Sequence, residues 1–310
     1  MYYPEWGIYS GHGEWTPDYI PYDKITHLNY AFFTIKNGEI ALFDEWAATG
    51  AALGEAWDSE FKGVIGAVRK AKQNYPDVRL MMSIGGWSQS AYFHEVSATD
   101  ASRQKFADSC VTYLRDYNFD GVDIDWEYPT FKREGDKQDN PNDQGTPYAD
   151  ASEKETFTLL LKTLREALDK AGNEDNKYYE LSAAVGAGVD KMAQTELTKY
   201  HQYLDFINLM SYDFHGAWED VTGHQSALFG RTQKEGNPYD QVTSKYNVHD
   251  SVTAFLKAGV PSNKLVVGIP YYTRGWANVE GSPSNTSYQV NHLPGLHHSV
   301  KKGSFSYGVK

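Results

Sequence analysis

Basic residues are in short supply. Lysine and arginine number 29 against 41 aspartates and glutamates, a formal net charge of −12. Such a chain repels nucleic acid and anionic membrane surfaces, because both need clustered positive charge. Cysteine is nearly absent. Cys110 stands alone, which excludes an internal disulfide and a cysteine zinc cluster. It falls on an apolar helical stripe and reads as core. No apolar run approaches the roughly 20 residues that span a bilayer, and mean hydropathy is −0.60. No Gly-x-Gly-x-x-Gly follows any strand, which weakens a nucleotide-binding reading. The 10 histidines show no His-Glu-x-x-His spacing, and adjacent His297 and His298 are no ligand pair. No cofactor and no metal are expected. The start, Met1 to Trp6, lacks the basic and apolar regions of a leader. That leaves a cytoplasmic protein, or one whose leader precedes the numbered chain.

Aromatic residues are abundant, with 23 tyrosines and 8 tryptophans. That excess hints at a flat, uncharged ligand such as sugar. The chain also alternates short buried strands with helical stripes. Strands are expected near residues 1–3, 25–33, 79–84, 121–127, 179–185, 204–212 and 265–272. Helices follow from Phe61, Val64, Ile65 and Val68, from Phe106, Cys110, Tyr113 and Leu114, from Glu153 to Ala171, and from Asp250 to Ala258. This is an α/β fold with a parallel sheet. The seven strands compare with the eight of a closed (β/α) barrel, and a doubly wound open sheet is the structural rival. Thr130 to Ser152 is a long polar loop. Asn278 to Lys310 reads as a loop excursion or the start of an inserted module, without a completed strand.

The sharpest signal is Asp120-Gly121-Val122-Asp123-Ile124-Asp125-Trp126-Glu127-Tyr128. Strand alternation puts Asp123, Asp125 and Glu127 on one face and Val122, Ile124 and Trp126 on the other. Side chains two apart on a strand sit about 6.6 Å apart by rise. At an effective dielectric near 20, two unit charges at that separation repel by about 2.5 kcal/mol, nearly 2 pKa units. At least one carboxyl should therefore hold a proton near neutral pH, as a general acid must. Glu127 is the expected holder. A solvated acidic edge and a divalent-metal site are the competing readings.

Phe119 to Pro129 resembles the signature strand of glycoside hydrolase family 18, the retaining chitinases. Ser83-Ile84-Gly85-Gly86-Trp87, Leu209 to Phe214 and Tyr271 to Trp276 resemble further motifs of that family, in order along the chain. The resemblance implies a (β/α)8 TIM-type barrel acting on β-1,4-linked N-acetylglucosamine, by the substrate-assisted exception to the two-carboxylate scheme. It implies Glu127 as acid and base, and Asp125 as orienter of the acetamido group with Asp123 sharing its proton. Tyr212 would donate to the attacking carbonyl, and Asp213 completes the catalytic set. Trp6, Phe32, Gly85, Gly86, Trp87, Tyr128, Met210, Trp218 and Arg274 would line the sugar cleft. The implied partner is chitin or chitooligosaccharide, handled by a secreted monomer, with no nucleic acid and no membrane. An endo-β-N-acetylglucosaminidase and a non-catalytic chitin-binding lectin are the alternatives.

Two departures are noted. The first strand looks clipped before Tyr2, and no eighth strand with its tryptophan floor is present. Residues 1–310 are then expected to form one catalytic domain cut at both ends, with residues 278–310 as the beginning of an α+β insertion.

Overall fold

The computed structural model describes residues 1–137, 140–216, 218–219, 223–230, 245–276 and 304–308, the last stretch by backbone alone. In chain order the first elements are β1 (Tyr2–Pro4), β2 (His27–Lys36), β3 (Glu39–Leu42), α1 (Gly63–Asn74), β4 (Arg79–Gly85), α2 (Phe93–Ser97) and α3 (Asp100–Asp116). They continue as β5 (Gly121–Asp125), α4 (Glu153–Asp175), β6 (Glu180–Gly186), α5 (Val189–Ala193), α6 (Leu197–Tyr200) and β7 (Phe206–Met210). The last are α7 (Val248–Lys257), β8 (Leu265–Val267), β9 (Tyr272–Trp276) and β10 (Ser304–Gly308). Two compact units result. One holds Met1–Val185 and Gln194–Ile207, the other Gly186–Ala193 and Asn208–Lys310.

In the first unit the strands run β1-β2-β4-β5-β6, every neighbouring pair parallel. Successive parallel strands need a crossover, and α1, α2 with α3, and α4 supply them. This alternation is that of a (β/α) barrel. The sheet's covered face is built as the alternation predicts. Val122 and Ile124 are fully buried, and Trp126 stacks on Phe93 at 5.3 Å and meets Phe157 edge-on at 6.0 Å. Helix α3 starts at Thr99, whose hydroxyl accepts the Ser102 N–H at 3.1 Å while Ser102 Oγ accepts the Thr99 N–H at 3.0 Å. It buries Phe106, Ala107, Cys110 and Leu114. Helix α4 buries Phe157, Leu160, Leu161, Leu164 and Leu168, and ends where Asn176 turns left-handed at φ 51°. Each such apolar side chain contributes roughly 2 kcal/mol through burial.

Three expected boundaries are corrected. The strand drawn through Glu127 stops at Asp125, because the Glu127 N–H bonds to Ser90 Oγ at 2.9 Å instead of a strand neighbour. The strand drawn to Tyr212 stops at Met210, because the Ser211 N–H folds back to Leu209 O at 2.8 Å and Asp213 takes φ 53°. The tail does hold a strand: β10 pairs antiparallel with β9, Ser304 opposite Trp276 and Gly308 opposite Tyr272. The remainder of the expected insertion, 278–303 and 309–310, lies outside the described residues. A hairpin not expected from the sequence joins β2 to β3 through Asn37 and Gly38, at φ 54° and 77°. In the second unit β8 follows β7, the Gly268 N–H donating to Leu209 O at 2.9 Å.

One buried acid sits apart from the β5 cluster. Glu5 is fully buried just after β1. The Tyr30 hydroxyl donates to it, and so does the Asp44 N–H at 3.1 Å. Burial pushes its carboxyl up to about 8, against the pull of those two donors. Below the ordinary carboxyl value both folded and unfolded chains hold this proton. Between that value and about 8 only the folded chain does, so stability falls as pH rises through the window. Glu5→Gln keeps the shape without the titration. Thermal melts from pH 5 to 8.5 should show the natural protein losing a few degrees relative to Glu5→Gln as pH rises. A constant gap between the two would contradict this.

Candidate active site

Asp123 is the fixed member of the acidic strand. Register places Ser83 of β4 and Ser182 of β6 directly beside it, and both serines are fully buried. Ser83 Oγ donates to Asp123 Oδ2 at 2.8 Å, Ser182 Oγ to Oδ1 at 2.6 Å, and Tyr2 Oη to Oδ2 at 2.8 Å. Hydroxyl donors thus engage both oxygens. Neither serine nor Tyr2 was singled out from the sequence. Serine in a buried strand carries no signal until register is known.

Asp125 is its opposite. It is buried, and its Oδ1 has no hydrogen-bond partner among the described residues. Burial pushes its carboxyl well above the ordinary range, and the charges of Glu127 and Asp123 push further the same way. The carboxyl that burial raises on this strand is Asp125, whereas the sequence reading put the retained proton on Glu127.

Glu127, half-buried, lies just past the strand end. Its backbone is pinned by Ser90, a buried residue whose hydroxyl also donates to Gly86 O at 2.9 Å. Gly85 and Gly86 lie against the same segment, the Gly86 N–H donating to Asp125 O at 2.8 Å. A Cβ on Gly85 would stand 2.2 Å from that carbonyl oxygen, and one on Gly86 would stand 2.9 Å from the Phe32 ring. Both glycines also adopt positive φ, at 108° and 81°. Their contribution is close approach, which brings β4 against the reactive strand. On the far side, Glu153 accepts the Thr130 N–H and the His94 Nδ1, each at 2.5 Å. This fixes the chain three residues beyond Glu127.

Several expected cleft aromatics gather in this unit. Trp6 and Phe32 are half-buried with centroids 6.1 Å apart. Tyr128 is half-buried and meets Phe131 edge-on at 6.5 Å. Trp87 is 39 % exposed.

The other expected residues lie in the second unit. Met210 is buried at the end of β7. Tyr212 packs edge-on to Tyr272 at 6.1 Å. Asp213 accepts from Arg274 Nε and from Tyr272 Oη, both at 2.7 Å. The exposed Trp218 ring lies 5.3 Å from the Arg274 guanidinium. Arg274 is thus paired with Asp213, and Tyr272 joins them as a member the sequence did not flag.

An α/β chain with a βα alternation carries a buried acidic strand end whose central carboxyl is held above its ordinary range, an arrangement that fits a glycosidase-like class of site. The chain matches the sequence profile of Glycosyl hydrolases family 18 over residues 1–309 and belongs to that family. It is 38% identical to chitinase A1 of Niallia circulans over 329 residues, covering 93% of this chain and 44% of that protein. It is 32% identical to chitinase 1 of Aphanocladium album, covering 99% of this chain and 72% of that protein. Among solved structures, chitinase ChiA74 from Bacillus thuringiensis superposes with a TM-score of 0.81 at 32% identity, over 99% of this chain and 52% of its own. The chain therefore spans about half the length of two of these relatives.

Removing the Ser90 hydroxyl leaves the Glu127 N–H without its acceptor. Ser90→Ala should cost about 1–3 kcal/mol in urea unfolding. Unchanged stability would show that Ser90 does not hold the segment.

Proposed function

We propose that the protein hydrolyses β-1,4 bonds between N-acetylglucosamine units of chitin and chitooligosaccharides, with retention, through the substrate's own acetamido group. The observation that carries this reading is Asp125, a buried carboxyl pushed upward beside Glu127 and Asp123 at the end of one strand. The relatives described above support it, since each bears the name chitinase.

The chemistry assigned to each residue is as follows. Glu127, acting in its protonated form, gives that proton to the glycosidic oxygen as the bond from that oxygen to the anomeric carbon breaks. The acetamido carbonyl oxygen bonds to the anomeric carbon from the opposite face, forming an oxazolinium ion. Asp125 accepts the acetamido N–H through the oxygen that has no partner among the described residues, and it shares a proton with Asp123. The Glu127 carboxylate then takes a proton from water as the water oxygen attacks the anomeric carbon and reopens the ring. Two inversions give retention. Tyr212 donates to the attacking carbonyl and so fixes its approach, with Asp213 beside it in sequence. Trp6, Phe32, Trp87, Tyr128 and Trp218 offer ring faces to apolar sugar faces, Met210 lines the reacting site, and Arg274 hydrogen-bonds sugar.

No cofactor enters this scheme. Chitin is insoluble and outside cells, so the protein carrying this chain is secreted and acts as a monomer. Among the described residues no helix is long and apolar enough to cross a membrane.

Glu127→Gln should lower kcat by at least about 100-fold and leave chitooligosaccharide binding in place. Proton NMR of fresh product should show the β anomer first. Turnover surviving in Glu127→Gln, or an α-anomer product, would sink the scheme. Release of an intact glycan from a glycoprotein would instead point to an endo-β-N-acetylglucosaminidase. Binding of chitooligosaccharide by the unaltered protein without hydrolysis would point to a lectin.

A further inference from the structure

Trp87 presents only part of its indole to solvent, and the reason lies in the polar loop after β5. The Arg133 guanidinium lies 3.9 Å from the Trp87 ring centroid. It also donates to Trp87 O, while the indole N–H donates to Asp136 Oδ2 at 3.4 Å. One face of the ring is therefore covered by a flat cation, and ring and backbone are both tied to one loop.

Arg133 is itself locked. Its side chain is 9% exposed and that of Asp143 is fully buried. The two meet bidentately, Nη1 to Oδ2 at 2.5 Å and Nη2 to Oδ1 at 3.2 Å. Nη1 also donates to Glu134 O at 3.0 Å. Asp143 accepts two backbone donors as well, the Asp136 N–H at 2.7 Å and the Gly145 N–H at 2.8 Å. Burial raises the Asp143 carboxyl, but Arg133 and the two N–H groups together hold it below the ordinary range. The loop closes on itself where Arg133 and Thr146 exchange backbone hydrogen bonds of 3.2 and 2.9 Å. Paired charges this deeply buried are costly unless their geometry is good and their remaining valences are filled. Here the same loop that carries Arg133 to the ring fills both Asp143 oxygens and both Arg133 terminal nitrogens, and Nε alone has no partner among the described residues.

We infer that Arg133, locked by Asp143, is a positioning residue that backs the Trp87 indole and leaves the opposite ring face as the sugar-stacking surface. This rests on the chitin reading above and deepens it. A backed ring loses its rotamer freedom before substrate arrives, so less is lost on binding. A guanidinium spreads its charge over a plane that matches an indole face, which an ammonium does not. The recognised group is the apolar face of a pyranose ring, and the residue acts through Trp87 rather than on the reacting atoms.

The test is a double-mutant cycle on binding, run in the Glu127→Gln protein by calorimetric titration with chitooligosaccharides of increasing length. Arg133→Ala should raise Kd roughly 3- to 10-fold for oligosaccharides long enough to reach Trp87. In a Trp87→Ala background the same change should add nothing. With Glu127 restored, the loss should fall on KM rather than kcat, and Arg133→Lys should recover only part of it. Asp143→Asn, which keeps the side-chain shape, should weaken binding in the same direction and covers the case of a poorly folded Arg133→Ala. Equal binding by the parent and Arg133→Ala would overturn the inference. So would an equal loss with and without Trp87, or no loss from Trp87→Ala. A parent that bound no chitooligosaccharide, in a protein that hydrolysed none, would sink the chitin reading itself and this role with it.

Discussion

Three acids at the end of one buried strand cannot all carry charge, and the protein resolves the conflict by treating them unequally. Asp123 is surrounded with hydroxyl donors, from Ser83 and Ser182 on the flanking strands and Tyr2 on β1. Asp125 is left with a bare oxygen in a desolvated place, beside two other acids. Charge is thus cheap at one position and expensive two residues later. The difference is set by neighbours, since the side chains are the same.

Much of the first unit serves that strand end. The opposite face supplies an apolar anchor, with Trp126 stacked on Phe93 and edge-on to Phe157. The reactive side is approached by backbone instead of side chains. Gly85 runs so close to Asp125 O, and Gly86 to the Phe32 ring, that a methyl group could not be accommodated at either. Ser90 then ties Gly86 O to the Glu127 N–H, and Glu153 holds Thr130. Glu127 therefore sits between two fastened points. In the proposed scheme, a carboxyl that meets a glycosidic oxygen gains from such fixed geometry.

What was legible in the sequence had a period. The strands near 79–84, 121–127 and 179–185 and the stripes of α1, α3, α4 and α7 could be read from apolar spacing alone, and the alternating acids of β5 marked the site. The alternation misled only at its end. Trp126 and Glu127 keep the pattern of two after the backbone has left the sheet, because Ser90, distant in sequence, captures the Glu127 N–H. The Asn37-Gly38 turn carried the strongest short-range hairpin signal and was readable, but β2 was drawn too short to reach it. Other features have no local signal. Ser83 and Ser182 matter only because register sets them beside Asp123. Glu5 looks like any surface acid between Pro4 and Trp6 until Tyr30 closes over it. Arg133 and Asp143 find each other within a stretch whose composition says only that it is polar.

The central claim is that burial beside other carboxylates holds the Asp125 carboxyl well above the ordinary range. Carbon-13 NMR of aspartate-labelled protein tests it directly, with the Asp125 carboxyl signal assigned by its loss in Asp125→Asn. The account predicts a midpoint well above the ordinary value of about 4, moving down when Glu127→Gln removes one neighbouring charge. A midpoint near 4, unmoved by that substitution, would contradict it.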